Sequence, residues 1–84
     1  FTPGGINPIF IPIVSHIKTE TYHFTIINRW GQLVFESFDP YYGWDGTIQS
    51  NGKRALNDVY IYMLQAEDDE GNFIQKKGFV SLIE

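Results

Sequence analysis

The sequence predicts an all-β protein, a small Ig-like antiparallel β-sandwich of about six or seven short strands. Three observations predict it. Apolar and polar residues alternate with a period of two in several segments, turn-forming residues separate these segments at regular spacing, and no window has a capped helical period. Since 84 residues build one hydrophobic core, we expect a single domain over residues 1–84.

The N-terminal segment is apolar but interrupted by proline. It runs from Ile6 to Val14 and contains Pro8 and Pro12. Because proline has no N–H to donate to a sheet ladder, we expect an edge strand here, or two short ones. The chain begins at Phe1 without a methionine, and its first residues lack the basic and apolar regions of a secretory signal. We therefore expect it to be part of a longer protein.

The first predicted hairpin joins two short alternating segments. Thr21–Asn28 reads as a half-buried strand whose one face carries Tyr22, Phe24 and Ile26. Gln32–Glu36 is predicted as its partner. The link between them, Asn28–Gly31, has turn residues at both ends, which is typical of a hairpin.

The second predicted hairpin is longer. Asp58–Glu67 is the longest β-favouring run, and Phe73–Ile83 is its expected partner. The polar connection Asp68–Asn72 contains glycine and predicts a hairpin loop. Between the two hairpins, Phe38–Leu56 has no clear period, and its glycines, proline and asparagine predict loops and tight turns.

Composition restricts the classes of function. The apolar fraction of 43% and the aromatic fraction of 17% indicate a packed core rather than a disordered chain. The net charge of −4 argues against binding to nucleic acid or to an anionic membrane surface. The absence of cysteine excludes disulfides, thiolate catalysis and cysteine-based zinc sites. We expect no cofactor.

No set of residues in the sequence forms a catalytic or metal-binding pattern. His16 and His23 do not have the spacing of metal ligands on a strand, and no serine has the flanking glycines of a nucleophile elbow. The acidic run Glu67–Glu70 lacks the distal glutamate that closes a calcium loop. We therefore predict a solvated hairpin tip there, and no enzyme activity.

Four aromatic residues in the predicted loops admit two interpretations. Exposed rings on a β-scaffold stack on sugars, whereas packed rings close the ends of a small sandwich. For Trp30 and Trp44, which lie among turn residues, we favour packing. Tyr41 and Tyr42 stay open to glycan contact, so a carbohydrate-binding or adhesive Ig-like module is the alternative function.

Several separated motifs occur together and in a fixed order. They are Asn28-Arg29-Trp30-Gly31-Gln32, Val34-Phe35-Glu36, Trp44-Asp45-Gly46, Gly52, Val59-Tyr60 with Tyr62, and Gly78 before a closing apolar strand. This combination resembles the gliding motility-associated C-terminal domain, the type B sorting domain of the type IX secretion system of Bacteroidetes. The similarity covers nearly the whole chain, and the opening Phe1-Thr2-Pro3 also resembles the start of that family.

The sequence departs from the family pattern at two places. The family's N-terminal loop is acidic, whereas here it is shortened to Thr2–Pro8 and has no acidic residue, which puts any ion contact of that loop in doubt. The usual Pro-x-Gly before the Val-Tyr strand is replaced by Ala55–Asp58. Asn57 and Asp58 still favour a turn, so we expect the turn to be kept.

The shared motifs also have a direct physical interpretation as determinants of the fold. Asn28 and Gly31 bracket a hairpin turn in which one of them needs a positive φ. Arg29 either lies over an aromatic ring or pairs with Asp45. Asp45 precedes Gly46 and accepts hydrogen bonds from backbone N–H groups two residues on, while Trp44 fills the core as a plug.

The resemblance implies an export signal on a larger protein. The domain would fold in the periplasm, be recognised by outer-membrane type IX translocon components, and carry the upstream cargo domain of its chain to the cell surface or medium. The exposed edges Ile6–Val14 and Phe79–Ile83 are the expected recognition elements. A structural Ig-like spacer within a longer chain is a further alternative.

Overall fold

The computed structural model describes residues 1–2, 9–12 and 14–83 of the chain. Its strands are β1 (His23–Ile27), β2 (Leu33–Ser37), β3 (Asp58–Glu67) and β4 (Phe73–Leu82). They form one four-stranded antiparallel sheet in the order β2-β1-β3-β4, and a 3-10 turn at Thr19–Thr21 precedes β1. In this part of the chain, no helix has the length and apolarity needed to cross a bilayer.

Both predicted hairpins and the all-β class are confirmed. β1 pairs with β2 and β3 pairs with β4, while the β1–β3 pairing joins the two hairpins into a single sheet. The described residues contain this one sheet and do not show the six or seven strands of a sandwich. Turn residues break up residues 38–57, so that segment contributes only isolated bridges, such as the one between Thr47 and Arg54.

Alternation along the strands separates a covered face from an open face. On the covered face, Phe24 lies opposite Leu64, and Ile26 lies between Phe35 and Tyr62. A register shift at the end of β1 allows Val34 and Phe35, although adjacent, both to be buried. The face assignment predicted from the period of two is therefore confirmed for β1, and Tyr60 and Leu64 are buried on the same face of β3.

The cover over this face includes Phe1 and Phe10 from the N-terminal part of the chain and the loop between the hairpins. Trp44 is completely buried, stacks on Phe1 at 5.1 Å, and meets the edge of Tyr60 at 5.1 Å. Phe10 forms a bridge with Trp44 through two backbone hydrogen bonds of 2.8 Å. Burial of such a ring contributes about 1.5–3 kcal/mol, so these loop aromatics supply much of the core.

The prediction of an edge strand at Ile6–Val14 can be compared with the structure only in part. Residues 6–8 and 13 lie outside the described residues, and Phe10 belongs to the cover rather than to the sheet. The edges of the sheet are β2 and β4, which confirms the predicted edge at the C-terminal strand.

The open face carries a row of apolar side chains that crosses all four strands. Ile27 is the Cα partner of both Leu33 and Ile61, and Ile61 is the partner of Phe79. Phe79 and Leu33 are exposed at the two ends of this row. The sheet thus has one face packed under a cover and one face turned to solvent.

Candidate functional site

The turn from Asn28 to Gln32 is held by one side chain. The Asn28 Oδ1 atom accepts hydrogen bonds from the backbone N–H groups of Trp30 (3.0 Å) and Gln32 (2.9 Å). The Gly31 N–H donates to the Asn28 carbonyl at 3.0 Å, and Gly31 has φ of 82°. The expected positive φ therefore falls on Gly31, where the missing Cβ removes the steric cost.

The structure corrects our packing interpretation of Trp30. Trp30 is 70% exposed, because it lies on the turn between β1 and β2 and is not among the residues of the core. The Arg29 guanidinium lies 5.6 Å from the Trp30 ring centroid, so the expectation that Arg29 lies over an aromatic ring is met. Its ionic partner is Asp58, at 2.9 Å, and not Asp45.

The Trp44-Asp45-Gly46 motif forms a tight turn around a buried ring. The Asp45 Oδ1 atom accepts hydrogen bonds from the Thr47 N–H (3.1 Å) and hydroxyl (2.6 Å), as predicted for a residue two positions before its donor. Gly46 has φ of 89°. The Trp44 indole N–H donates to the Thr47 carbonyl at 2.9 Å. The packing role predicted for Trp44 is therefore confirmed.

The fold brings motif residues from distant parts of the chain to one shallow groove of about 90 Å³. Asn28, Trp30 and Tyr60 line it, together with Leu56 and Asp58. The Tyr60 hydroxyl donates to the Leu56 carbonyl at 2.6 Å, which fixes the segment before β3. Burial, and after it the charge of Asp58, raises the pKa of Tyr60.

Tyr62 and Gly78 form a second pair of motif residues. They are direct partners across β3 and β4, and a Cβ on Gly78 would lie 2.8 Å from the Tyr62 ring. Glycine at position 78 therefore leaves room for the ring to lie over β4 on the covered face. Val59 points to the open face and is exposed.

Tyr41 and Tyr42 do not form a common stacking platform. Tyr41 is 88% exposed and lines a wide groove of about 480 Å³ that also includes His16 and Pro40. Tyr42 packs against the Phe35 ring at 5.4 Å. The two rings, although adjacent in the chain, therefore lie in different surroundings.

Two titratable residues, one in β1 and one directly before it, have surroundings that the sequence did not indicate. His23 stacks on Phe38 at 4.7 Å and contacts the Glu36 carboxylate at 2.6 Å. The buried hydroxyl of Tyr22 has no hydrogen-bond partner among the described residues. Burial, followed by the charge of Asp39, raises the pKa of Tyr22 to about 12.

In the acidic loop Asp68–Asn72, the Asp68 carboxylate accepts hydrogen bonds from the backbone of the loop. The Asp68 Oδ1 atom accepts hydrogen bonds from the N–H groups of Asn72 (2.8 Å) and Glu70 (2.9 Å). The Asn72 N–H bond is the largest cause that lowers the pKa of Asp68. Across residues 1–2, 9–12 and 14–83, no three acidic or histidine side chains are grouped in a way that would hold a metal ion.

Gln49 is a structural residue that sequence reasoning missed. Its side-chain amide accepts from the Glu36 N–H and donates to the Glu36 carbonyl, both at 3.0 Å, while its own N–H donates to the Val34 carbonyl at 2.9 Å. Gln49 thereby occupies the outer edge of β2. No local pattern marks this residue, since its partners come close only in the folded chain.

Comparison with known proteins identifies the family. The family model described as CHU_C type IX secretion signal domain matches residues 1–82, nearly the whole chain. No curated protein and no solved structure matches the sequence. Domains of this kind are non-catalytic signals, recognised by the secretion machinery, that direct export of a cargo protein across the outer membrane. The chain belongs to the CHU_C type IX secretion signal domain family.

Proposed function

We propose that this domain is the single C-terminal sorting domain of a larger cargo protein, and that outer-membrane type IX translocon components bind it directly. The observation that carries the proposal is the exposure of Trp30 on a turn fixed by Asn28. A large exposed aromatic ring on a turn with a defined backbone is typical of residues that anchor protein–protein interfaces.

In this proposal, the motif residues divide into two groups. Arg29, Trp30 and Val59 are exposed and would contact the machinery. The others would build the fold that presents them; they are Asn28, Gly31, Trp44, Asp45, Gly46, Tyr60, Tyr62 and Gly78. The division is supported by burial, since Trp44 is fully buried and Trp30 is 70% exposed.

The proposed route has three stages. The domain folds in the periplasm behind its upstream cargo domain, the translocon recognises the folded surface, and the cargo reaches the cell surface or the medium. In this proposal, recognition is by protein–protein contact, and the domain makes or breaks no covalent bond. We also propose that the cover is an irregular second layer of an Ig-like sandwich, which is supported by the antiparallel bridges Phe10–Trp44 and Thr47–Arg54.

A reporter assay tests this proposal. The domain is fused behind a periplasmic reporter in a host with the type IX machinery, and reporter in the medium and on the cell surface is measured. We expect Trp30→Ala to keep the fold and reduce export at least severalfold. Trp44→Ala should lose both the fold and export, because replacing a buried tryptophan by alanine leaves a cavity and destabilises the fold by about 3–5 kcal/mol. Export of the intact fusion no greater than that of the reporter alone would refute the proposal.

Carbohydrate binding is a second candidate, supported by the high exposure of Tyr41 above its groove. Sugar faces stack on such rings. A glycan array with the intact domain and with Tyr41→Ala and Tyr42→Ala checks it. Binding that is lost in the Tyr41 variant would favour this function, and an array without signal would remove it.

A further inference from the structure

The two edges of the sheet differ in whether their backbone groups are satisfied. At the β2 edge, Gln49 pairs with Val34 and with both backbone groups of Glu36. A partner strand is therefore blocked there. No described residue satisfies the β4 edge in this way, and the hydrogen-bonding pattern of that edge follows from the hairpin that leads into it.

The hairpin fixes which backbone groups of β4 point outward. The Asp68 N–H donates to the Asn72 carbonyl, so residues 68 and 72 form a hydrogen-bonded pair. In an antiparallel ladder such pairs alternate with non-bonded pairs. The even-numbered residues of β4 therefore bond to β3, and the odd-numbered ones direct their N–H and C=O groups to the outer edge. The bond from the Ile83 N–H to the Phe1 carbonyl, at 3.0 Å, fits this assignment.

This edge is open over most of its length. Within the described residues, no donor or acceptor meets the outward groups of Phe73, Gln75, Lys77, Phe79 and Ser81. Unpaired strand edges present a template to which another strand can add. Most of the ten-residue strand is thus available for pairing.

Charge indicates what kind of strand would bind. The domain has a net charge of −4, yet β4 carries two of its six basic residues and no acidic one. These are Lys76 and Lys77, which are exposed, form no ion pair with a described residue, and lie on opposite faces of the sheet. The open edge is therefore a cationic strip on an acidic protein.

A second copy of the chain is a poor match for this strip. Antiparallel pairing of two β4 strands through their outward groups joins odd-numbered residues to odd-numbered residues. In the two registers that pair most of the strand, Lys77 lies either directly opposite Lys77 of the other copy or diagonal to it. Like charges at these positions are destabilising.

We infer that the outer edge of β4 binds an extended, acidic segment of the export machinery by adding it to the sheet as a fifth strand. The inference rests on the proposed function and specifies the partner's chemistry. Adjacent carboxylates of the segment would meet Lys76 on one face and Lys77 on the other, while an apolar residue would lie beside Phe79.

Peptide binding with hydrogen exchange tests the inference. The probe is a capped peptide of about eight valine and threonine residues with two adjacent central glutamates, and its control has lysines in place of the glutamates. We expect the amides of Gln75, Lys77 and Phe79 to exchange fast in the free domain and to be protected by the acidic peptide. Amides of the even-numbered residues, which bond to β3, should be protected with and without the peptide. The basic peptide should have no effect.

Two variants examine the backbone and the charge separately. Phe79→Pro removes an outward N–H without taking a bond from the β3 ladder, so it should abolish binding while near-ultraviolet circular dichroism stays close to that of Phe79→Ala. Phe79→Ala removes the same ring but keeps the N–H, and should retain most of the binding. Lys77→Glu should weaken binding roughly three- to tenfold by making a cross-strand pair repulsive. Lys53→Glu, the same change on an exposed loop, is the matched control and should bind like the original domain.

The export assay distinguishes this inference from the proposed function. If the intact domain drives export, and folded Phe79→Pro and Lys77→Glu export and bind as it does, the edge inference is overturned and the sorting function stands. If the intact domain drives no export, the proposed function fails, and odd-numbered amide protection alone decides whether the edge takes an acidic strand. Equal protection by the acidic and basic peptides overturns the charge requirement.

Discussion

The turn Asn28–Gln32 and the turn Asp68–Asn72 share one hydrogen-bonding scheme, although they lie at opposite ends of the sheet. In each, the first residue accepts two backbone N–H bonds through its Oδ1 atom, at 3.0 and 2.9 Å in the first turn and at 2.9 and 2.8 Å in the second. In each, the fourth residue is a glycine, with φ of 82° in Gly31 and 84° in Gly71.

The residues between these fixed positions differ completely. One turn presents Arg29 and Trp30, whereas the other presents Asp69 and Glu70. The comparison teaches that an Asn or Asp at the first position and a Gly at the fourth specify this turn, which leaves the two central side chains free for function. The comparison also shows that the amide of Asn28 and the titratable carboxylate of Asp68 act as the same kind of acceptor in the two turns.

The largest expected effect comes from the two glycines. Gly31→Ala and Gly71→Ala should each cost about 1–2 kcal/mol, because an L-residue with a Cβ is strained at positive φ. A Cβ on Gly31 would have no atom of a described residue within 4 Å, so we expect the cost there to be conformational. Urea unfolding measures both variants. Gly→Asn at each position is the control and should cost less, since Asn tolerates this conformation. Unequal costs at the two sites would break the comparison.

The next effect concerns the acceptor of the first turn. Asn28→Ala should destabilise the domain by about 1 kcal/mol, because two backbone N–H groups lose their partner. Asn28→Asp should keep most of the stability, since Asp68 fills the same role in the other turn. Urea midpoints at neutral pH measure both variants. An Asn28→Asp protein as unstable as Asn28→Ala would show that the schemes are not interchangeable.

A smaller effect is the pH dependence of the second turn alone. The hydrogen bonds to Asp68, led by that from the Asn72 N–H, hold its folded-state pKa below 3.8, the ordinary value of an aspartate side chain. The resulting stabilisation is present above the unfolded-state pKa and is lost as the pH falls through the folded-state value. Between about pH 6 and pH 2, the free energy of unfolding should therefore fall more steeply for the original domain than for Asp68→Asn, because Asn keeps the acceptor but does not titrate. Urea unfolding curves collected across this range measure the difference. Parallel curves would contradict this expectation.

The smallest effect is expected at the free central positions. Trp30→Ala and Glu70→Ala should each change stability by no more than about 0.5 kcal/mol, because neither side chain is buried. Thermal unfolding measures this. A larger loss for Trp30→Ala would indicate that its contact with Arg29 supports the fold, and would remove the division between structural and exposed motif residues.

The sequence by itself determined both hairpins and the faces of β1, whereas the bulge that buries both Val34 and Phe35 in β2 has no counterpart in the alternation. Alternation places Phe24 and Ile26 on the same side, and Gly and Asn mark the turns, because strand periodicity and turn conformation depend on residues that are neighbours in the chain. The family motifs were equally readable, since they follow one another in a fixed order.

Only the tertiary structure decided which loop side chains are buried and where they find partners. Trp30 and Trp44 both lie among turn residues, yet one is exposed and the other lies under Phe1 and Phe10. The same holds for Arg29 with Asp58, and for Gln49 at the β2 edge. Each outcome depends on segments that are far apart in the chain and meet only when the sheet and its cover are assembled, so no local pattern could contain it.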